Sequence, residues 1–188
     1  MKYEAIVIGV SAGGLYVLSE ILEALPKDYS IPVVIVQHRS KDERELLEEL
    51  LQQKCKIKIK QADEKEKLQK GTVYIAPPNY HVLAENDRTL SLSADPLVNY
   101  SRPSIDVLFE TASEVYKNKL IGVILTGANK DGAYGMTLIR KRGGVTVAQN
   151  PKTAQFSAMP HAAVETGSIQ HVLEVNEIID FLLTIQKA

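Results

Sequence analysis

A doubly wound α/β fold, with a mostly parallel sheet between layers of helices (Rossmann-like, three-layered) and an added antiparallel hairpin, is what this 188-residue sequence predicts. Three observations carry that expectation. Short unbroken apolar runs at 5–10, 31–36 and 120–125 have the length and Ile/Val content of strands buried on both faces. Between such runs lie stretches whose apolar residues recur at helical spacing. The strand–helix–strand–helix opening then calls for a parallel sheet covered on both sides.

The run at 5–10 is the first strand. Gly13-Gly14 opens a helix that sets Leu15, Leu18, Ile21, Leu22 and Leu25 on one face until Pro26 stops it. After the second strand, Ser40 and Glu43 have capping-box spacing ahead of a helix through Leu46, Leu47, Leu50 and Leu51. From 54 to 60, lysines alternate with Cys55, Ile57 and Ile59, the period of a half-exposed strand, and a lysine-lined strand suits a sheet edge. Residues 72–76, a turn at Pro77-Pro78-Asn79 and two short strands flanking Glu85-Asn86-Asp87 read as the hairpin. A polar loop spans 93–103, a length at which loops are often functional. A helix at 104–116, a strand at 120–125, a helix at 133–142 and a strand at 145–148 resume the alternation. Met159-Pro160 precedes a short helix, and an amphipathic helix at 175–186 follows. No repeat or composition shift divides the sequence, so one domain over 1–188 is expected.

Charge and composition exclude several classes. With 22 basic and 23 acidic residues the net charge is −1, which argues against a nucleic-acid binder and gives no polybasic membrane contact. No apolar run approaches the roughly 20 residues that span a bilayer, so no membrane insertion is expected. The first residues lack the apolar core and cleavage site of a secretory signal. Cys55 is the lone cysteine and offers neither a disulfide nor a metal cluster. The expectation is a cytoplasmic enzyme or binding domain with no metal and no other cofactor.

In a parallel sheet every strand's carboxyl end lies on one rim, where ligands bind beside a topological switch point. The loops that follow the apolar strands place Ser11, His38 and Asp131 on that rim. Together they form a hydrolase constellation. A serine hydroxyl needs a base, imidazole titrates near neutrality, and a carboxylate orients the ring and stabilises its protonated form. Ser11 also sits in a Gly9-x-Ser11-x-Gly13 turn, whose glycines would let a substrate approach and whose helix start offers free N–H groups to an oxyanion. The chain order Ser11, His38, Asp131 does not fit an α/β-hydrolase. The same turn also fails as a dinucleotide fingerprint, because Ser11 replaces the second glycine, and as a P-loop, for want of Lys-Ser/Thr.

A longer set of motifs occurs in order: Ile8-Gly9-Val10-Ser11-Ala12-Gly13-Gly14, Gln37-His38, Tyr74-Ile75-Ala76-Pro77, the run from Arg102 to Phe109, Gly122-Val123-Ile124-Leu125-Thr126-Gly127, Asp131-Gly132-Ala133, Ala148-Gln149-Asn150 and Met159-Pro160. Together they resemble the catalytic domain of the bacterial chemotaxis receptor methylesterases, CheB, over nearly the whole sequence. The resemblance implies hydrolysis of γ-glutamyl methyl esters on chemoreceptors, with deamidation of receptor glutamines in some members. It maps nucleophile, base and acid onto Ser11, His38 and Asp131, and oxyanion donors onto backbone N–H groups near Ala12 and Ala128. Familiar members carry a receiver domain ahead of this region. The sequence here starts at the first catalytic strand, so the expected regulator is a separate receiver domain or hybrid kinase. Position 12 is often threonine in the family and is Ala12 here, which keeps a backbone donor and removes a hydroxyl.

Structural readings compete at each position. Ser11 or Asp131 would serve as a helix cap, and His38 as a strand terminator. Arg102 either reaches the rim to bind an acidic substrate surface or anchors its own loop. His81 is expected on a solvated hairpin, His161 and His171 in structural roles, and Cys55 on a buried strand face. Two other functional classes stay open: a non-catalytic docking module on a receptor or kinase, and a nucleotide-binding α/β protein.

Overall fold

The computed structural model describes residues 3–38 and 46–187. The first half of the chain contributes β1 (Ala5–Val10), α1 (Gly14–Ala24), β2 (Val33–Gln37), α2 (Leu46–Gln52), β3 (Lys58–Gln61), β4 (Glu66–Lys67), β5 (Thr72–Ile75), β6 (His81–Ala84) and β7 (Thr89–Ser93). The second half adds α3 (Ile105–Tyr116), a 3₁₀ turn at Lys117–Lys119, β8 (Leu120–Ile124), α4 (Ala133–Lys141), β9 (Val145–Gln149), α5 (Ala158–Glu165), β10 (His171–Leu173) and α6 (Val175–Ile185). Seven parallel strands form the central sheet in the order β10-β9-β8-β1-β2-β5-β3, and β4-β7-β6 form a small antiparallel sheet. Among the described residues no helix is long and apolar enough to cross a membrane.

Strand alternation divides the core in two. On one face Ile6, Ile8, Val10, Val33, Ile35, Ile121 and Val123 pack against Leu18, Ile21 and Leu22 of α1 and Ile178 and Leu182 of α6. On the other, Ala5, Val7, Val34, Val36 and Ala148 meet Leu108 and Phe109 of α3, Met136 and Ile139 of α4, and Met159 of α5. Because both faces are covered, the central strands carry apolar residues at every position rather than every second one.

The lysine stripe behaves as its alternation predicts. Cys55, Ile57 and Ile59 are buried while Lys54, Lys56 and Lys58 are exposed. The ladder itself begins only at Lys58, and β3 is an edge strand of the central sheet. Burial pushes the Cys55 thiol up to about 11, which leaves it protonated and unreactive at neutral pH.

Several details differ from the sequence reading. Residues 72–75 join the parallel sheet as β5, and the hairpin β6–β7 belongs to the separate small sheet with β4. Leu15 and Leu50, expected on buried helix faces, are exposed, because α1 turns the face of Gly14, Val17, Leu18, Ile21 and Leu22 inward, while α2 buries Leu51. The Ser40–Glu43 capping box lies outside the described residues. His81, expected in water, is only 1% exposed. Its Nε2–H donates to Pro96 O (3.1 Å) and its Nδ1 accepts from Ser104 N (3.1 Å), so both ring nitrogens are satisfied inside the protein.

β1 lies between β2 and β8, which makes this the place where the winding direction reverses, and the loops after β1, β2 and β8 share one crevice. Gly9 sets how closely α3 approaches that rim. A Cβ there would overlap Ile105 Cγ2 and stand 3.0 Å from Ile124 Cδ1. Gly9→Ala is therefore expected to cost about 1–3 kcal/mol through overpacking. Urea denaturation should show most of that penalty disappearing in an Ile105→Ala background. A penalty of the same size in both backgrounds would place the strain elsewhere.

Candidate active site

Ser11 and His38 directly follow the last paired residues of neighbouring parallel strands, Val10 and Gln37. His38 N donates to Val10 O (3.0 Å), and Gln37 Nε2 donates to Ser11 O (3.1 Å) and His38 O (3.3 Å). Strand neighbours lie about 4.8 Å apart, so Ser11 and His38 stand side by side at the rim, and both line one groove. Ser11 does not cap α1. Gly13 is the N-cap residue, in the left-handed region at φ 74°, and no side chain closes that helix start. Among the described residues Ser11 Oγ has no hydrogen-bond partner.

Asp131 is fully buried and collects five donors. Its Oδ2 accepts from His38 Nε2 (2.9 Å) and Ile105 N (2.6 Å), and its Oδ1 from Asn99 Nδ2 (2.8 Å), Ser104 Oγ (2.9 Å) and Asp106 N (3.2 Å). Burial is the largest influence and favours the protonated acid. Hydrogen bonds from His38, Asn99 and Ile105 outweigh it, and the carboxyl titrates below its ordinary value. The balance is physically reasonable, since each bond to a charged group contributes about 1.5–3 kcal/mol against a desolvation cost of several kcal/mol.

The capping expectation for Asp131 therefore changes helix. Gly132 is the N-cap residue of α4, and the Asp131 carboxylate instead caps α3, whose first two N–H groups it accepts. Ser104 occupies the N-cap position of α3 and turns its hydroxyl to Asp131. An anion at that helix start is favoured by the exposed N–H groups and the helix dipole together.

The imidazole has a defined proton. Asn129 Oδ1 accepts from Asp131 N (3.0 Å), which turns Asn129 Nδ2 toward His38 Nδ1 at 3.2 Å. Nδ1 is then an acceptor, and the ring N–H is Nε2, aimed at Asp131. The amide N–H groups of Ala12 and Ala128 have no acceptor among the described residues, so both are free to face a ligand. Thr126 braces the two loops by donating from Oγ1 to Ala12 O (3.0 Å) and accepting there from Phe156 N (2.9 Å). A groove of about 1350 Å³ leads from Ser11 and His38 between α1 and α2, past Leu15, Leu47 and Leu50.

Arg102 stands apart from this cluster. Its guanidinium grips Asn79 Oδ1 (2.8 and 3.2 Å), Ala94 O (2.6 Å) and Asp95 O (2.8 Å), so it ties the 93–103 loop to the turn that follows β5. Residues the sequence reading passed over do reach the site. Asn99 sits in that loop at φ 50°, before the 98%-exposed Tyr100 at φ 61°. Its Nδ2 donates to both Asp131 and Asp106, at 2.8 and 2.7 Å. Burial, helped by the neighbouring Asp131 charge, pushes the Asp106 carboxyl up against hydrogen bonds from Gly135 and Asn99. The available signals were the length of the loop, and for Asn129 its position two residues before Asp131, where an Asx turn forms.

The family model described as CheB methylesterase matches residues 6–182. A Leptospira interrogans protein, 52% identical over 187 residues, is matched along 97% of its length by the whole of this chain; its name pairs protein-glutamate methylesterase with protein-glutamine glutaminase. A protein-glutamate methylesterase/protein-glutamine glutaminase of Archaeoglobus fulgidus is 38% identical over 183 residues, covering 95% of this chain and 52% of the relative. The crystal structure of the Thermotoga maritima CheB methylesterase catalytic domain superposes with a TM-score of 0.93 at 33% identity, covering 98% of this chain and all of that one.

Asp131 makes folding sensitive to acid in a defined direction. Its folded-state value lies below the ordinary 3.8. The stability it contributes is therefore complete above that value and is lost as pH falls through the lowered one. In urea titrations from about pH 5 to pH 2, Asp131→Asn should start less stable than the parent and lose less on acidification. Parallel curves for the two proteins would contradict the assignment.

Proposed function

The chain belongs to the CheB methylesterase family, and we propose that its reaction, hydrolysis of protein γ-glutamyl methyl esters, runs through Ser11 as nucleophile, His38 as base and Asp131 as orienting acid. The observation that carries this reading is the 2.9 Å bond from His38 Nε2 to a buried, five-fold hydrogen-bonded carboxylate, beside a serine hydroxyl that no helix cap consumes. A fold with only a docking role has no use for an imidazole held in one tautomer beside a serine hydroxyl that has no partner among the described residues.

The chemistry follows from the tautomer. His38 Nδ1 takes the Ser11 proton as Oγ attacks the ester carbonyl, while Nε2–H stays on Asp131, whose charge stabilises the imidazolium. The amides of Ala12 and Ala128 receive the oxyanion, each donor contributing about 10²–10³ in rate. The tetrahedral adduct expels methoxide, which leaves as methanol with the proton from Nδ1. Water then gives its proton to Nδ1, attacks the acyl-serine, and frees the glutamate carboxylate and Ser11. Replacing the methoxy group by ammonia as leaving group turns the same steps into glutamine deamidation, which accounts for the two activities paired in the relatives' names. The proposed setting is the cytoplasm. There a methylated chemoreceptor is the protein substrate, and a separate receiver domain or hybrid kinase is the regulator.

Ser11→Ala should abolish methanol release from a methylated receptor fragment while leaving the thermal transition unchanged. Asp131→Asn should lower kcat by roughly 10⁴, the scale found when an orienting acid is neutralised. Release from Ser11→Ala at the parent rate would refute the nucleophile.

A further inference from the structure

We propose that Asn129 is a positioning residue that holds His38 in a resting state, with its base nitrogen already engaged, and that release of this bond precedes attack by Ser11. The inference rests on the roles given above to Ser11 and His38. Both ends of the Asn129 amide are committed. The oxygen accepts from Asp131 N at 3.0 Å, a donor that only an acceptor can meet, so the NH₂ group must face His38 Nδ1, 3.2 Å away. Nε2 carries its proton to Asp131, so Nδ1 is the one ring nitrogen able to receive a proton from Ser11. Asn129 and Ser11 therefore compete for a single lone pair. The outcome of that competition is visible: the amide holds Nδ1, and Ser11 Oγ is unpaired among the described residues.

The arrangement has two consequences for the reaction. Asn129 fixes the tautomer and the ring plane, so His38 needs no reorientation beyond the loss of one bond. It also withholds the base from water while no ester occupies the crevice. Asn129 lies one residue beyond Ala128, whose amide has no acceptor among the described residues, and is only partly buried, so its side chain has room to turn away when a substrate carbonyl arrives.

Covalent labelling of Ser11 by an alkyl fluorophosphonate tests this, because the probe reads serine activation without a protein substrate. Asn129→Ala removes both hydrogen bonds of the amide. Asn129→Ser keeps an oxygen able to accept from Asp131 N in a hydroxyl turn, but cannot reach His38. If the amide withholds the base, both variants label faster than the parent, by about five-fold, the equilibrium factor of one neutral hydrogen bond. In both, the ¹⁵N resonance of the unprotonated His38 nitrogen also moves toward its unbonded position. If Asn129 only braces the turn before Asp131, Asn129→Ser behaves as the parent in rate and in resonance. That result, or slower labelling in both variants, overturns the proposal. Parent protein that labels at Ser11 while the variants gain nothing removes only the role of Asn129. A parent that neither labels nor releases methanol removes the esterase assignment itself.

Discussion

One buried carboxylate organises this molecule. Asp131 is taken wholly out of water, and a charge so placed persists only if hydrogen bonds replace the lost hydration. Five donors do so, and they come from four separate places: the strand end after β2, the 93–103 loop, the residue ahead of α3, and the start of α3 itself. Satisfying the charge therefore requires the sheet rim, the loop and the helix to be assembled together. The same requirement delivers an imidazole with its proton fixed on one side and its lone pair on the other.

Close packing supplies the remaining precision. α3 reaches Asp131 because Gly9 leaves room for Ile105, and the loop after β1 turns because Gly13 adopts a positive φ. The glycines of the Gly9-x-Ser11-x-Gly13 pattern thus admit a neighbouring helix and a tight turn, and Gly13 also lines the groove beside Ser11. Thr126 ties the loop after β8 to Ala12 and Phe156, so the two proposed oxyanion donors sit on segments braced against each other.

Much of this was legible in the residues alone. Doubly covered strands announce themselves by unbroken Ile/Val runs, and once parallel strands are assumed, loops after β1, β2 and β8 must share a rim, which singles out Ser11, His38 and Asp131. What stayed hidden depends on backbone paths that no local pattern encodes. Arg102 sits beside the long loop in either reading; its hold on Asn79, Ala94 and Asp95 is decided by how that loop folds back. His81 sits in a polar-looking hairpin, yet it is buried because the loop carbonyl of Pro96 and the amide of Ser104 close over it. Asn129 was visible as a turn residue, but its second partner lies 91 positions earlier in the chain.

The tertiary cap on α3 also bears on how relatives of this chain should be judged. Asp131 secures a helix start regardless of whether any ester is ever cleaved, so selection for folding alone would retain it after turnover had been lost. The Ser11 hydroxyl has no partner among the described residues, so under the proposed mechanism only turnover would retain it. Under the proposed mechanism, a relative that keeps the aspartate but has exchanged the serine still folds without turnover, and the acid by itself is a poor marker of activity across such sequences.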